Sequence, residues 1–586
     1  MNMHVSFNEK LPRPTWTAEG FAPVFAENTD FWRIHLDNGE NRELTVFSTE
    51  QEPPVVHQNG DDTVYTYASL KAEDGTMYDV TYELTIRRGN GGLTFLSKVE
   101  NRDAVRVNEI QAPFLAFDRL NSQPEEEELY IPNSLGERIP NPRKWVADTC
   151  HTEYMAADYQ NIWYTATYPA PMTMAWMGVQ SGDRFLYLAR KDDHFRICCF
   201  CVGTSPRNTR SQLVLTISQY PMAVQGETIE TAPVFAAVYD GWRAAARDYR
   251  AWADTWYYPA PKPEWVQNMT GWQRIIMKHQ YGEIFFKYED LPQLYKDGAE
   301  VGLDTLLVFG WWKGRFDNGY PHYEADEALG GAEALCRAIA EVQALGGRVL
   351  LYSNVKLIDT KSNFYLEQGH DCCQLDIDGN EYMDHYKFSN NGTVLRSFGY
   401  KSFVTGCMAT PQWRTRLQET TRVKQQYHPD SLFYDQIGGC LTRLCFNTNH
   451  EHGGRADEEV RYRLRNIEDL RQMLEPGQAL GSEHTVDVFA QKFDYLHGCC
   501  GGCWVTKYSY PALFLTTFPD TILTNRLMHD ERTNMRQHYN NAFIWGLRFD
   551  ASVYRCRKVS IKAMPEMSRH LRHLLQLKDR YRRYFY

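Results

Sequence analysis

From the N-terminus to about residue 240, apolar side chains recur at period two. The runs Thr63-Val-Tyr-Thr-Tyr67, Tyr78-Asp-Val-Thr-Tyr-Glu-Leu-Thr-Ile86 and Leu93-Thr-Phe-Leu-Ser-Lys-Val99 alternate in this way, separated by Asp-Gly and Gly-Asn-Gly-Gly turns. Arg196-Ile-Cys-Cys-Phe-Cys-Val202, Leu213-Val-Leu-Thr-Ile217 and Val234-Phe-Ala-Ala-Val238 continue the pattern. Successive side chains of a strand face opposite sides, so this alternation predicts half-buried strands, and their number predicts a β-sandwich. A helix is predicted from about Gly241 to Trp256, and Tyr258-Pro-Ala-Pro-Lys-Pro263 reads as a stiff linker.

Beyond Gly271 the period changes. Apolar runs such as Arg274–Met277, Thr305–Phe309, Arg348–Tyr352, Leu432–Tyr434 and Ala479–Ser482 alternate with amphipathic helical stretches near Leu291–Val301, Glu327–Leu345, Pro411–Gln426 and Asp457–Leu474. Phe493–Leu496, Thr521–Leu523 and Phe543–Leu547 are weaker candidates for the last strands. Strand–helix units repeated over this length predict a parallel (β/α)8 barrel. The expected fold is therefore α/β with a β domain: an N-terminal β-sandwich with its linker helix over 1–257, followed by a (β/α)8 TIM-type barrel over 258–586. A doubly wound sheet is the alternative, but no glycine-rich phosphate loop follows the first strand.

Two of these runs end in an acid. Ser431-Leu-Phe-Tyr-Asp-Gln-Ile-Gly-Gly439 delivers Asp435 and Gln478-Ala-Leu-Gly-Ser-Glu-His484 delivers Glu483. A buried parallel strand places such a residue at the C-terminal mouth of a barrel, where catalytic groups gather. Two carboxyl groups from neighbouring strand ends are what glycoside hydrolysis requires. The glycines after Asp435 leave room for close approach of a sugar, which fits a nucleophile. Glu483, longer by a methylene and followed by His484, fits the acid/base. The competing reading is that each acid only caps the segment that follows it.

Other strand ends carry polar and aromatic groups suited to a sugar. Gly310-Trp-Trp-Lys-Gly-Arg-Phe-Asp-Asn-Gly319 offers Trp311 and Trp312 as stacking faces, with Lys313 and Asp317 for hydroxyls. The alternative for the tryptophans is burial at the barrel rim. Lys278 and His279 end the first strand, Asn354 and Lys356 the third, and Arg526 follows the seventh. With His484 these complete the expected substrate-binding set.

Composition changes little in this picture. Aromatic residues reach 14%, with 36 Tyr and 15 Trp, which fits sugar stacking and equally a β-rich core. The formal net charge of −11 argues against a nucleic-acid partner. No run of 18 apolar residues offers a membrane span. The N-terminus lacks the charged and apolar regions of a signal peptide, so the 14 cysteines are expected as reduced thiols and the location as cytoplasmic. No β-domain is expected after the terminal helix. The C-x-x-C in His497-Gly-Cys-Cys-Gly-Gly-Cys503 and the H-x-H in His450-Glu-His452 lack the partners of a zinc or redox motif. No metal and no cofactor are therefore expected, and the oligomeric state is left open.

The sandwich-then-barrel order, the strand end Val308-Phe-Gly-Trp-Trp312 and the strand ends Tyr434-Asp435 and Ser482-Glu483 resemble glycoside hydrolases of families 101 and 129. More distantly, the plan is similar to α-galactosidases and α-glucosidases with an N-terminal sandwich. Members of families 101 and 129 are retaining enzymes releasing α-linked N-acetylgalactosamine or a mucin-core disaccharide. Their nucleophile is an Asp after the fourth barrel strand and their acid/base a Glu after the fifth. The resemblance implies those roles for Asp435 and Glu483, and a retaining exo-α-glycosidase acting on terminal α-linked galactose or N-acetylgalactosamine of an oligosaccharide or glycoconjugate. The alternatives are a non-catalytic carbohydrate-binding relative, α-glucoside specificity, or a metal-dependent hydrolase using His450, His452 or the cysteines.

Overall fold

The computed structural model describes residues 4–8, 11–17, 21, 23–27, 29–89, 91–150, 162–204, 212–280, 282–385, 402–498, 506–526, 535–552 and 560–586. The chain divides into two compact units. One comprises Met1–Tyr257 with Arg455–Glu458 and Tyr508–Pro519; the other comprises Tyr258–Gly454, Glu459–Lys507 and Asp520–Tyr586.

The first unit is a β-sandwich. Antiparallel pairing builds one sheet of ten described strands and one of eight. Strand Val80–Gly89 pairs with Gly92–Asn101 from Val80↔Asn101 to Gly89↔Gly92, and its buried and half-exposed positions alternate as the sequence predicts. Gly91 turns this hairpin at φ 74°, where a Cβ would be strained. Rings join the two sheets: Trp32, just before the strand Arg33–Asp37 of one, lies 4.9 Å from Tyr67 and 4.6 Å from Tyr82 of the other.

The second unit is the barrel. Its strands are β1 (Gly271–Ile276), β2 (Thr305–Phe309), β3 (Arg348–Asn354), β4 (Ser431–Asp435), β5 (Ala479–Glu483), β6 (Tyr495–His497), β7 (Leu523–Thr524) and β8 (Phe549–Ser552). They pair in parallel in that order, β8 returns to β1, and a parallel bridge from Thr524 to Arg548 closes the ring. Helices α1 (Leu291–Ala299), α2 (Gly331–Ala344), α3 (Pro411–Gln425), α4 (Glu459–Gln472), α5 (Met535–Ile544) and α6 (Pro565–Arg580) follow individual strands. The fold is thus the expected sandwich and (β/α)8 barrel. Among the described residues no helix is long and apolar enough to cross a membrane.

One assignment is corrected. Phe543–Leu547 is not the last strand: α5 runs through Ile544, Gly546 at φ 74° ends the turn, and β8 starts at Phe549. A short apolar run carries no period that separates strand from helix, and the true strand is disguised by the inward Asp550. Between β3 and α3 the chain inserts a small antiparallel sheet in which Ser402–Thr405 lies between Leu357–Asp359 and Met383–His385.

Register sets the chemistry of the mouth. Asn354 pairs with Asp435, Tyr434 with Ser482, Glu483 with His497, and His497 with Thr524. Residues in register on parallel strands point the same way, so a polar row runs along the strand ends from β3 to β7. Beneath it lie rings of the core, among them Phe309, Tyr352, Phe433 and Tyr495.

Candidate active site

Asp435 and Glu483 are each 7% exposed, and each is followed by a residue in the left-handed region, Gln436 at φ 68° and His484 at φ 65°. A side chain other than glycine rarely adopts that conformation, and such strain gathers at functional sites. Ser482 ties the two strand ends together: its hydroxyl donates to the Tyr434 carbonyl at 2.6 Å and accepts from the Gly438 N–H at 2.9 Å. A Cβ on Gly438 would stand 2.7 Å from Ser482 Oγ, and one on Gly439 2.8 Å from His484 Cβ. Glycine is required here so that the loop after β4 can lie against the end of β5.

The two carboxyls have different neighbours. Oδ2 of Asp435 accepts from the Tyr352 hydroxyl at 2.7 Å and from Asn354 Nδ2 at 3.1 Å, whereas its buried Oδ1 has no donor. The Asn354 amide is oriented by its own oxygen, which accepts from the N–H groups of Lys356 and Leu357 at 3.0 and 2.8 Å. Glu483 pairs with Arg526 at 2.6 Å, and His484 Nε2 lies 3.6 Å from it. Burial first, and then the adjacent Glu483, push the Asp435 pKa well above the ordinary carboxylate value, while the Tyr352 hydroxyl acts against them. Asp435 thus keeps a proton that an isolated acid would lose, and the Arg526 cation acts against this by favouring its carboxylate. His484 keeps 27% exposure, but burial of the rest of the ring and the Arg526 cation lower its pKa to about 3, so it is neutral.

Of the other expected site residues, Asn354, Arg526 and His484 join the carboxylates directly. Asp317 joins through tyrosines: Tyr320 donates to it at 3.0 Å and lies 3.2 Å from the Tyr352 hydroxyl. Lys356 is buried, donates to the Leu441 carbonyl in the loop after β4, and is pushed down to about 8 by burial. Lys278 is committed to Asp326 at 2.7 Å, and the buried His279 ring lies 5.1 Å from Phe285.

Three expectations are corrected. Trp311 and Trp312 are both 0% exposed, so neither ring has a face for a sugar. They brace Tyr352 instead: Trp312 stacks on its ring at 5.9 Å, and Trp311 Nε1 donates to its carbonyl at 2.8 Å. Lys313 pairs with Glu324 at the surface, outside the carboxylate network. Tyr352 and Tyr320 are the groups that sequence reasoning missed. The signal for Tyr352 was its spacing, two residues before Asn354 and hence on the same face of β3.

On the other side of the barrel interior, Asp550 of β8 accepts from Trp272 Nε1 at 2.7 Å and Arg274 Nη2 at 2.9 Å, with His497 Nε2 at 3.4 Å. Burial lowers the His497 pKa to about 4.

Comparison with known proteins points to a class before any particular relative. Residues 228–500 match the family profile described as "Domain of unknown function (DUF6259)". No curated protein sequence matches the chain. Among solved structures, the α-N-acetylgalactosaminidase NagBb from Bifidobacterium bifidum in complex with GalNAc is similar at a TM-score of 0.71 and 13% identity, over 98% of this chain and 93% of that one. Its Gal-NHAc-DNJ complex gives 0.69 and 14%, over 98% and 93%. The GH36 α-galactosidase AgaB from Geobacillus stearothermophilus gives 0.51 and 10%, over 95% of this chain and 77% of that one. At these identities the likeness establishes a shared fold, and the fold neighbours are glycoside hydrolases.

Proposed function

We propose that the chain is a retaining exo-α-glycosidase that removes terminal α-linked galactose or N-acetylgalactosamine by double displacement. The observation that carries this reading is the adjacency of Asp435 and Glu483 at neighbouring strand ends, with one Asp435 oxygen held by two donors and the other left without one. A nucleophile needs that arrangement: donors fix the carboxylate and spread its charge while a second lone pair faces the anomeric carbon. Retaining enzymes keep their carboxyls ~5–5.5 Å apart and inverting ones ~6.5–9.5 Å apart. After burial, Glu483 is the neighbour that most raises the Asp435 pKa, so the two acids stand close together, which supports the retaining case.

In the proposed reaction Asp435 attacks the anomeric carbon while Glu483 protonates the departing oxygen. Glu483 then deprotonates the water that releases the sugar. This cycle requires Asp435 ionised and Glu483 protonated once the sugar is bound. The sugar hydroxyls have Asp317, Lys356, Asn354 and His484 as candidate partners. The galactose or N-acetylgalactosamine preference is supported by what the named fold neighbours act on.

The test is the Glu483→Ala variant with an activated aryl α-glycoside. Loss of the general base should make hydrolysis of the covalent intermediate limiting, and azide, which needs no base, should restore turnover and yield a glycosyl azide of retained configuration. Absence of rescue, or a first wild-type product of inverted configuration, rules out the retaining reading. A panel of p-nitrophenyl α-glycosides that includes the glucoside assigns the sugar.

A further inference from the structure

Among the described residues, four donor side chains converge in the loops beside β4. Cys407 follows the inserted strand Ser402–Thr405, and Cys445, His450 and His452 lie on the irregular stretch that follows Asp435. One donor atom from each lies within 4.8 Å of the other three. All four residues are buried: Cys407 and Cys445 at 0%, His450 at 6% and His452 at 3% exposure.

The hydrogen bonds indicate what these atoms await. His450 Nε2 stands 3.1 Å from the Asp371 carbonyl, which can only accept, so the proton is on Nε2. The lone pair of Nδ1 is then directed to Cys445 Sγ, 3.5 Å away. A histidine whose outer N–H is held by a carbonyl while its other nitrogen enters a donor cluster is the usual arrangement of a metal-bound imidazole. His452 supplies the second observation: although buried, neither of its ring nitrogens makes a hydrogen bond. A buried polar group without a partner costs about 1–3 kcal/mol, and ligation would supply the missing partner.

We propose that Cys407, Cys445, His450 and His452 bind one zinc ion in a closed, structural Cys2His2 site. Two sulfurs and two imidazole nitrogens, with no carboxylate and no solvent-facing position, match the tetrahedral preference of zinc. Bond lengths of ~2.3 Å to sulfur and ~2.0–2.1 Å to nitrogen draw the four atoms somewhat closer together than they stand here. Two thiol protons leave as the ion enters, so two thiolates neutralise its charge and the buried centre carries none. The site fastens the stretch leaving Asp435 to the loop leaving the inserted sheet. The same two loops already meet where the Glu451 N–H donates to the Ala409 carbonyl at 2.9 Å. The inference does not depend on the reaction proposed above.

The test uses the full chain, purified without a metal-affinity tag, with zinc measured by plasma mass spectrometry. Roughly one zinc per chain is expected, falling to background in the Cys407→Ser/Cys445→Ser double variant. Thiol modification of the wild type should release the ion to a chromogenic chelator. Should the double variant not fold, cobalt in place of zinc in the wild type decides: tetrahedral d–d bands with a sulfur-to-cobalt charge-transfer band support the site. Zinc far below stoichiometry after incubation with excess zinc overturns the proposal. So does a Cys407–Cys445 disulfide in protein prepared under reducing conditions, or a folded double variant that keeps its zinc. The last outcome would turn attention to Cys499, Cys500 and Cys503, which lie outside the described residues.

Discussion

Asp435 and Asp550 are two aspartates of one barrel in opposite circumstances. Both oxygens of Asp550 accept hydrogen bonds, one from Trp272 and the other from Arg274, and the residue is 0% exposed. Asp435 has donors on a single oxygen, a second acid at its side and 7% exposure. A buried carboxylate with matched donors and a cation is locked in place, and removing it leaves an uncompensated charge. A buried carboxylate left half-satisfied beside a like charge is a local cost that packing does not explain. The first is part of the barrel's structure; the second is available for chemistry.

The comparison is broken most directly by deleting each acid. Asp435→Asn should lower kcat at least ~10³-fold. Its melting temperature should be unchanged or higher, because a neutral amide spares the cost of burying an ionisable carboxyl. Asp550→Ala should do the reverse in kind, destabilising the fold by about 3–5 kcal/mol in urea denaturation because Arg274 is stranded in the interior. Near wild-type turnover in the first variant, or wild-type stability in the second, would show that the two sites have been read the wrong way round.

A second contrast lies within the expected sugar-binding set itself. Trp312 is core and should behave so: Trp312→Ala should cost about 3–5 kcal/mol of stability, with KM changed far less than the melting temperature. Tyr352, which donates to Asp435, should show the opposite balance. Hydrogen bonds to charged groups contribute about 1.5–3 kcal/mol, so Tyr352→Phe should lower kcat ~10–100-fold with a small change in melting temperature. A Trp312→Ala enzyme of normal stability but sharply raised KM would restore the indole to the sugar.

These contrasts mark what was legible in the chain. The placement of Asp435 and Glu483 at neighbouring strand ends was legible because a buried apolar run that stops at an acid marks a parallel strand's end, and the glycines after Asp435 announced a close approach. The tryptophans were misplaced because a strand-end ring can turn toward solvent or toward the core with the same local sequence. Their burial depends on Tyr320 and Tyr323 further along the same loop and on Tyr352 and Tyr427 from other segments. Tyr352 was missed because an aromatic in an apolar run reads as core; only its register with Asn354 and Asp435 gives it a partner. The Cys2His2 cluster escaped because Cys407 reaches it from a separate loop, leaving His450-Glu-His452 to look like an ordinary polar turn. Periodicity is local, and each of these features needs two segments brought together by the barrel.

The smallest expected effect tests where the proton resides. The proposed retaining chemistry needs one proton between Asp435 and Glu483. The rate should fall on the acid side as a second proton adds, and on the basic side as the last one leaves. Arg526, 2.6 Å from Glu483, favours the ionised form of Asp435. Arg526→Gln should move the kcat/KM profile to higher pH. Stability follows the same linkage. Folding raises the Asp435 pKa, so the native state binds more protons than the unfolded chain above the ordinary carboxylate value, and stability falls as the pH rises through the native pKa. Removing the cation raises that native pKa further, so the decline should extend to higher pH in Arg526→Gln. A profile that only loses height, or moves to lower pH, would mean that Arg526 does not govern the shared proton and acts on substrate alone.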